Sequence, residues 1–146
     1  MLEDAPPRLT YTFHVEGQDF ATAGEVSSKI RRILQQLGVH PDTIRRTSVA
    51  AYEAEMNVVI HAYRADVTLE TDDRTITITV RDEGPGIPDI EQAMQPGFST
   101  APEEIREMGF GAGMGLANMD RCADRLEIES VVGQGTTVRM VFSNTG

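Results

Sequence analysis

The sequence contains very little cysteine and lysine, and no tryptophan. Cys122 is the single cysteine, so no disulfide can form within the chain, and a reducing, cytoplasmic compartment is expected. Lys29 is the single lysine, and the Gly-Lys-Ser/Thr sequence of a P-loop is therefore absent. No apolar run approaches the roughly 18 residues that a membrane-spanning helix requires, and the acidic first residues do not resemble a signal peptide.

Basic charge is scarce as well. The 13 Lys and Arg residues face 23 Asp and Glu residues, which gives a formal net charge of −10 at pH 7. This charge argues against nucleic acid or an anionic membrane as a partner and is compatible with a basic protein partner. An apolar fraction of 40% and a charged fraction of 25% indicate a globular protein. We expect one domain over residues 1–146, with residues 1–8 as a tail.

The order of the hydrophobic patterns predicts an α+β protein. Alternation of apolar and polar residues marks strands, and apolar residues three or four apart mark helices. The predicted elements are, in chain order, a strand over 9–15, a helix over 26–37, a helix from Pro41 to about Tyr63, strands over 66–71 and 75–81, a helix from Gly113 to about Asp124, and two strands after it. Because the strands are joined as hairpins and the helices are grouped, a two-layer sandwich is expected rather than an alternating βαβ fold.

The second predicted helix has two neighbouring stripes. The first is expected to face the core and contains Val49, Tyr52, Met56, Val59 and Tyr63. In the second stripe, Glu53 and Asn57 are four residues apart and point the same way, one turn above the other. They fit either a solvated rim beside the core or a general base above a carboxamide ligand for a hard cation such as Mg²⁺. The helix alone leaves both interpretations open.

Glycine is concentrated in one stretch of the chain. Seven of the 13 glycines lie in residues 82–116. Glycine costs backbone entropy and permits close approach, so this stretch predicts a loop whose amides surround a ligand, most commonly phosphate. The spacing Gly111-x-Gly113-x-Gly115 is not that of a dinucleotide-binding fingerprint, and it follows a loop rather than a strand. Taken alone, either glycine motif would also fit a plain flexible turn.

Four motifs occur in a fixed order: Glu53-x-x-x-Asn57, Asp82-x-Gly84-x-Gly86, Gly111-x-Gly113-x-Gly115 and Gly135-Thr136-Thr137. Together they resemble the ATP-binding domain shared by gyrase, Hsp90, histidine kinases and MutL, the Bergerat or GHKL fold. More narrowly, residues 53–63, 82–90 and 97–100 are similar to the anti-sigma-factor serine kinases and switch kinases of bacterial partner-switching systems. The resemblance covers roughly residues 10 to 142. It implies a two-layer sandwich with a mixed, mostly antiparallel sheet and helices on one face.

The resemblance also implies a role for each matching residue. Glu53 would orient or deprotonate a serine hydroxyl, and Asn57 would bind the Mg²⁺ that bridges the ATP phosphates. Asp82 would accept a hydrogen bond from the adenine amino group, and residues 88–110 would form a lid over ATP. The other residues implied to contact the nucleotide are Gly84, Gly86, Ser99, Thr100, Arg106, Gly111, Gly113, Gly115, Leu116, Thr136 and Thr137.

The function implied by the resemblance is that of an ATP- and Mg²⁺-dependent serine kinase. Its substrate would be a small STAS-domain antagonist protein, and it would bind a sigma factor or another regulator. The resemblance also implies a homodimer formed through the first strand and helix. The alternatives are a regulatory binding module without catalysis and the catalytic domain of a histidine kinase. The chain departs from the family at Ala101, where lysine is common, so Arg106 is the nearest basic candidate for the γ-phosphate.

Overall fold

The structure is a computed structural model that describes residues 8–95 and 115–144. Its elements are, in chain order, β1 (Leu9–Glu16), α1 (Glu25–Gln36), α2 (Pro41–His61), β2 (Arg64–Thr71), β3 (Thr75–Glu83), α3 (Ile90–Ala93), α4 (Gly115–Cys122), β4 (Arg125–Val131) and β5 (Gly135–Ser143). The predicted order of strands and helices is confirmed. The short α3 was not predicted; its N-cap is Asp89, whose carboxylate accepts a hydrogen bond from the amide of Gln92 at 3.0 Å.

The five strands form one sheet in the order β1-β2-β3-β5-β4. Every neighbouring pair in it is antiparallel. The predicted α+β sandwich is therefore confirmed. A mixed, mostly antiparallel sheet was expected, and all pairs among the described strands are antiparallel. Tight turns join β2 to β3 and β4 to β5, and antiparallel pairing is the arrangement that such turns permit.

The core lies between one face of the sheet and helices α1, α2 and α4. A row of side chains crosses the sheet, because Leu69 on β2 pairs with Ile78 on β3, which pairs with Met140 on β5. None of these three has solvent-exposed surface. Burying a side chain of this size contributes about 1.5–3 kcal/mol relative to leaving it in water. This row fixes the register of the strands that end at the candidate site.

Helix α1 begins without a side-chain cap of its own. Its N-cap residue is Gly24, and the missing acceptor is supplied by Glu55 on α2. The Glu55 carboxylate accepts hydrogen bonds from the backbone amides of Gly24 at 2.9 Å, Val26 at 3.3 Å and Ser27 at 2.9 Å. Glu55 is only 3% exposed, so its carboxylate needs hydrogen-bond donors from the protein, and these amides provide them. In return, the carboxylate accepts from amides at the helix start that have no partner within the helix.

The expected core stripe of α2 is wrong in part. Met56 and Val59 are buried, but Val49 and Tyr52 are 42% and 41% exposed, and Tyr63 lies beyond the end of the helix and is 64% exposed. The packed face is centred instead on small residues, chiefly Ala50, Ala51 and Ala54. Small side chains permit the helix to lie close against its neighbours, so the larger residues beside them are turned toward solvent.

Candidate functional site

A cavity of about 420 Å³ lies between α2, the ends of β3 and β5, the loop after β3 and the start of α4. Its volume is within the range of about 300–1,000 Å³ that is common for small-molecule sites. The polar residues that line it are Asn57, His61, Asp82, Asp89, Gln92 and Thr136. The larger apolar residues that line it are Val58, Val80, Ile87, Leu116, Met119 and Val138. We call the part around Asp82 and Thr136 the sheet end, and the part between Asn57 and Gly115 the α2–α4 end.

Asp82 is placed at the sheet end by the pairing of β3 with its neighbours. The backbone amide of Thr136 donates a hydrogen bond to Oδ1 of Asp82 at 3.0 Å. Partial burial raises the pKa of Asp82, and the hydrogen bond from Thr136 opposes that shift without cancelling it. A carboxylate that is held in this way in a mostly apolar cavity is a directed acceptor for a donor such as an exocyclic amino group.

Two glycines are required for the sheet end to close. A Cβ atom on Gly135 would lie 2.0 Å from the carbonyl oxygen of Asp82, so any side chain there would push β5 away. Gly86 has φ +77°, and a Cβ on it would lie 2.7 Å from the carbonyl oxygen of Val131. Glycine is therefore needed at Gly86 both for the left-handed backbone and for close approach.

Ser130 is a residue of the sheet end that the sequence reasoning missed. Its Oγ accepts a hydrogen bond from the amide of Ile87 at 2.7 Å, and it lies 2.9 Å from Oγ1 of Thr136 and 3.2 Å from the carbonyl oxygen of Gly135. Ser130 thereby joins the loop after β3 to the start of β5. A single serine in a strand matches no sequence motif. The hairpin pairs Ser130 with Thr136, and this pairing could have indicated that Ser130 belongs to the site.

The α2–α4 end is formed where Gly115 begins α4 beside Asn57. A Cβ atom on Gly115 would lie 3.0 Å from Oδ1 and 3.3 Å from Nδ2 of Asn57, so any side chain there would require the Asn57 amide to shift slightly. Amides at a helix start attract anions, and a carboxamide oxygen suits a hard cation. These residues therefore fit a phosphate group together with Mg²⁺.

Glu53 lies one turn before Asn57 on α2 but is not among the described residues that line the cavity. Its Oε2 accepts a short hydrogen bond from Nδ2 of Asn118 on α4. His61 lies one turn after Asn57 and does line the cavity. Partial burial lowers the pKa of His61, so the imidazole is neutral at pH 7.

The cavity brings together about half of the residues predicted from the sequence, namely Asn57, Asp82, Gly86, Gly115, Leu116 and Thr136. Thr137 is not among the lining residues, because successive side chains of a strand point to opposite faces. Gly84 borders the site, and a Cβ on it would lie 3.1 Å from Cα of Ala62. Ser99, Thr100, Arg106, Gly111, Gly113 and residues 96–110 of the expected lid lie outside the described residues.

Comparison with known proteins agrees with this geometry. Residues 18–142 match the histidine kinase-like ATPase domain. The chain belongs to this family. ATP is therefore the nucleotide expected for the cavity. Within the described residues, no helix is both long enough and apolar enough to cross a membrane.

The sequence relatives of this ATPase domain include proteins named anti-sigma F factor. The protein of that name from Geobacillus stearothermophilus is 35% identical over 136 residues, which cover 89% of this chain and 86% of the relative. The one from Caldanaerobacter subterraneus subsp. tengcongensis is 44% identical over 110 residues, or 72% of this chain and 73% of the relative.

Solved structures agree with the fold of the ATPase domain. A chain of the SiaB-SiaC complex from Pseudomonas aeruginosa has a TM-score of 0.62 at 14% identity, with 90% of this chain and 88% of that chain covered. The mycobacterial sensor histidine kinase MprB has a TM-score of 0.56 at 16% identity, with 95% and 97% covered. At these identities the likeness extends to the fold alone.

Proposed function

We propose that the chain is an ATP- and Mg²⁺-dependent protein serine kinase of a bacterial partner-switching system. It phosphorylates a STAS-domain antagonist and binds a sigma factor or comparable regulator. The observation that supports this most directly is the placement of Asp82 and Asn57 at opposite ends of one cavity, with Glu53 one turn from Asn57. Family membership supports ATP as the nucleotide, and the name of the sequence relatives supports the regulatory partner.

The cavity suggests how ATP binds. The adenine amino group donates to Asp82 at the sheet end, and the base lies against apolar side chains such as Val80 and Val138. The phosphates extend to the α2–α4 end, where the amides at the start of α4 bind them. Asn57 would hold Mg²⁺ through its carboxamide oxygen, and the ion would supply positive charge to neutralise the phosphates.

Phosphoryl transfer then depends mainly on positioning. The serine oxygen of the partner forms a bond to the γ-phosphorus as the bond to the ADP oxygen breaks, and the hydroxyl proton leaves to a base. Glu53 is the base that we assign, because it lies four residues from Asn57 on the same helix and faces α4. A nucleotide-binding module without catalysis has no need of a carboxylate at this position.

The proposal is tested with purified protein, labelled ATP and a STAS-domain protein encoded beside it. Wild type is expected to produce phosphoserine on the partner, detected by mass spectrometry. Glu53→Gln is expected to slow transfer by about 100-fold or more while ATP affinity stays within about twofold. Glu129→Gln, an exposed position on β4, is the matched control and should transfer at the wild-type rate. If the wild type labels no STAS partner, the kinase assignment is wrong.

A second candidate is a regulator that binds ATP and sequesters a sigma factor without catalysis. The name anti-sigma F factor favours it, because that name describes binding rather than transfer. A pull-down in ATP and in ADP distinguishes the two. Partner capture that depends on ATP, with no phosphoserine on any captured protein, would establish the binding module.

A further inference from the structure

We propose that Asn118 is a positioning residue for Glu53. This amide on α4 sets the orientation of the Glu53 carboxylate on α2, so the helix whose start faces the phosphates also controls the base. The inference rests on the kinase function proposed above. It assigns a role to a residue outside the four motifs that first indicated the site.

The contacts of Asn118 determine which way its amide points. Nδ2 of Asn118 donates to Oε2 of Glu53, and Nη1 of Arg121 donates to Oδ1 of Asn118 at 3.3 Å. A carboxylate only accepts hydrogen bonds and a guanidinium only donates them. The opposite amide orientation would place two acceptors together and two donors together. Arg121 therefore holds the donor side of Asn118 toward Glu53.

Helices α2 and α4 meet at three levels. At the start of α4, Gly115 lies against the amide of Asn57. One turn further, Asn118 contacts Glu53. At the end of α4, the carbonyl oxygen of Cys122 accepts a hydrogen bond from Nη1 of Arg46 at 3.0 Å.

These contacts place the phosphate site and the base on the same pair of helices. Residue numbers rise along α4 while the numbers of the contacted residues on α2 fall. The two helices therefore run antiparallel across this contact. Helix α4 has eight residues and is anchored in the core by Met119, which has no exposed surface. A change that shifts the start of α4 relative to Asn57 therefore also shifts Asn118 relative to Glu53.

A fixed carboxylate is what transfer requires. Glutamate has three rotatable side-chain bonds, and a general base has to be within hydrogen-bond reach of the proton that it accepts. The hydrogen bond from Asn118 occupies Oε2 and leaves Oε1 as the oxygen that accepts the serine proton. Without it, the carboxylate samples other rotamers, and the fraction of bound complexes ready to react falls.

The test is a double-mutant cycle on phosphotransfer to the STAS partner at saturating ATP. Asn118→Leu keeps the number and branching of the heavy side-chain atoms and removes the amide. We expect it to lower kcat by about tenfold and to change KM for ATP by less than about twofold. In the Glu53→Gln background, the same substitution should have no further effect, because Asn118 acts through Glu53.

Asn118→Asp is the second variant, because it is isosteric and places a carboxylate against Glu53. It should be slower than Asn118→Leu, with the thermal midpoint and ATP affinity near wild type. Equal rate losses from Asn118→Leu in both backgrounds, or a rise in KM for ATP that matches the fall in kcat, would overturn the positioning role. A wild type that transfers phosphate no faster than Asn118→Leu overturns this inference alone. A wild type that transfers none overturns the kinase function as well.

Discussion

The two ends of the cavity are built by different kinds of contact. At the sheet end, Asp82 is fixed by its pairing with Ala65 on β2 and by the backbone amide of Thr136. At the α2–α4 end, Asn57 lies against Gly115 at the start of α4. Glu53, one turn before Asn57 and outside the cavity lining, is held by the side chain of Asn118. In the function proposed, recognition of the base follows from strand register, whereas the geometry for transfer depends on a few polar side chains. The two ends should therefore respond differently to substitution.

The largest effect is expected at the sheet end, from Gly135→Ala. The added Cβ would lie 2.0 Å from the carbonyl oxygen of Asp82, so the start of β5 has to move. We expect a loss of about 3 kcal/mol in the free energy of unfolding, measured by urea denaturation, and loss of detectable ATP binding. Gly133→Ala in the same turn is the control. Gly133 has φ +83°, and an added Cβ would meet no atom within 4 Å apart from its neighbours in the chain. This substitution should therefore lower the free energy of unfolding by only about 1 kcal/mol.

Asp82→Asn separates base recognition from folding. Oδ1 can still accept from Thr136, but Nδ2 presents a donor where the adenine amino group needs an acceptor, so ATP affinity should fall by about 100-fold in titration calorimetry.

Because the folded pKa of Asp82 is raised, its contribution to stability is complete below about pH 4 and is lost as pH rises through the folded pKa. The ligand-free variant should therefore gain stability relative to wild type as pH increases from 3.5 to 7.

The control for this prediction is Glu83→Gln, one residue later on the exposed side of β3. It should bind ATP as wild type does. Unchanged ATP affinity in Asp82→Asn would contradict the assignment of the sheet end to the base.

Arg46→Met tests the α2–α4 end. It removes the hydrogen bond to the carbonyl oxygen of Cys122 at the end of α4. We expect a loss of about 1–2 kcal/mol in stability and a fall of several-fold in the rate of transfer, with little change in ATP affinity. Arg45→Met is the neighbouring control, because Arg45 is exposed and forms its ion pair with Asp42 on the same helix. If ATP affinity falls as much as the transfer rate, the two ends are not separable in the way proposed.

Ser130→Ala should have a smaller effect and should act on affinity instead. It leaves the amide of Ile87 without its acceptor, which loosens the loop after β3. We expect ATP affinity to fall by about fivefold and the rate of transfer at saturating ATP to stay unchanged. Thr137→Ala, on the opposite face of the sheet, should leave both unchanged. If Thr137→Ala lowered ATP affinity as much as Ser130→Ala, the effect would not be specific to the cavity face of the sheet, and the role of Ser130 in ATP binding would be contradicted.

The smallest effect is expected from His61→Gln, and it depends on pH. Burial lowers the pKa of His61, so its contribution to stability is complete above about pH 6.5 and is lost as pH falls through the folded pKa. The stability difference between wild type and the variant should therefore shrink between pH 7.5 and pH 5. Because His61 is exposed, solvent screening keeps this change small. A difference that stays constant across this range would contradict the lowered pKa of His61.

The sequence by itself determined the order of the elements and indicated residues at both ends of the cavity. Periodicity predicted each strand and each long helix, because the apolar pattern within an element depends only on residues close in sequence. The motif order resembles a known family, and this resemblance predicted Asp82, Asn57 and Gly115 as site residues; the structure brings the three into one cavity. The same reasoning could not choose between Thr136 and Thr137, because that choice depends on which face of β5 is turned to the cavity.

Only the tertiary structure decided which side chains meet across elements. It turned Val49 and Tyr52 toward solvent, and it placed Glu55 at the start of α1. It also joined Glu53 to Asn118, which are 65 positions apart. A helical pattern states which residues share a face, but not what lies opposite that face. The partner of Glu53 follows from how α2 and α4 pack, and packing is a property of the whole fold.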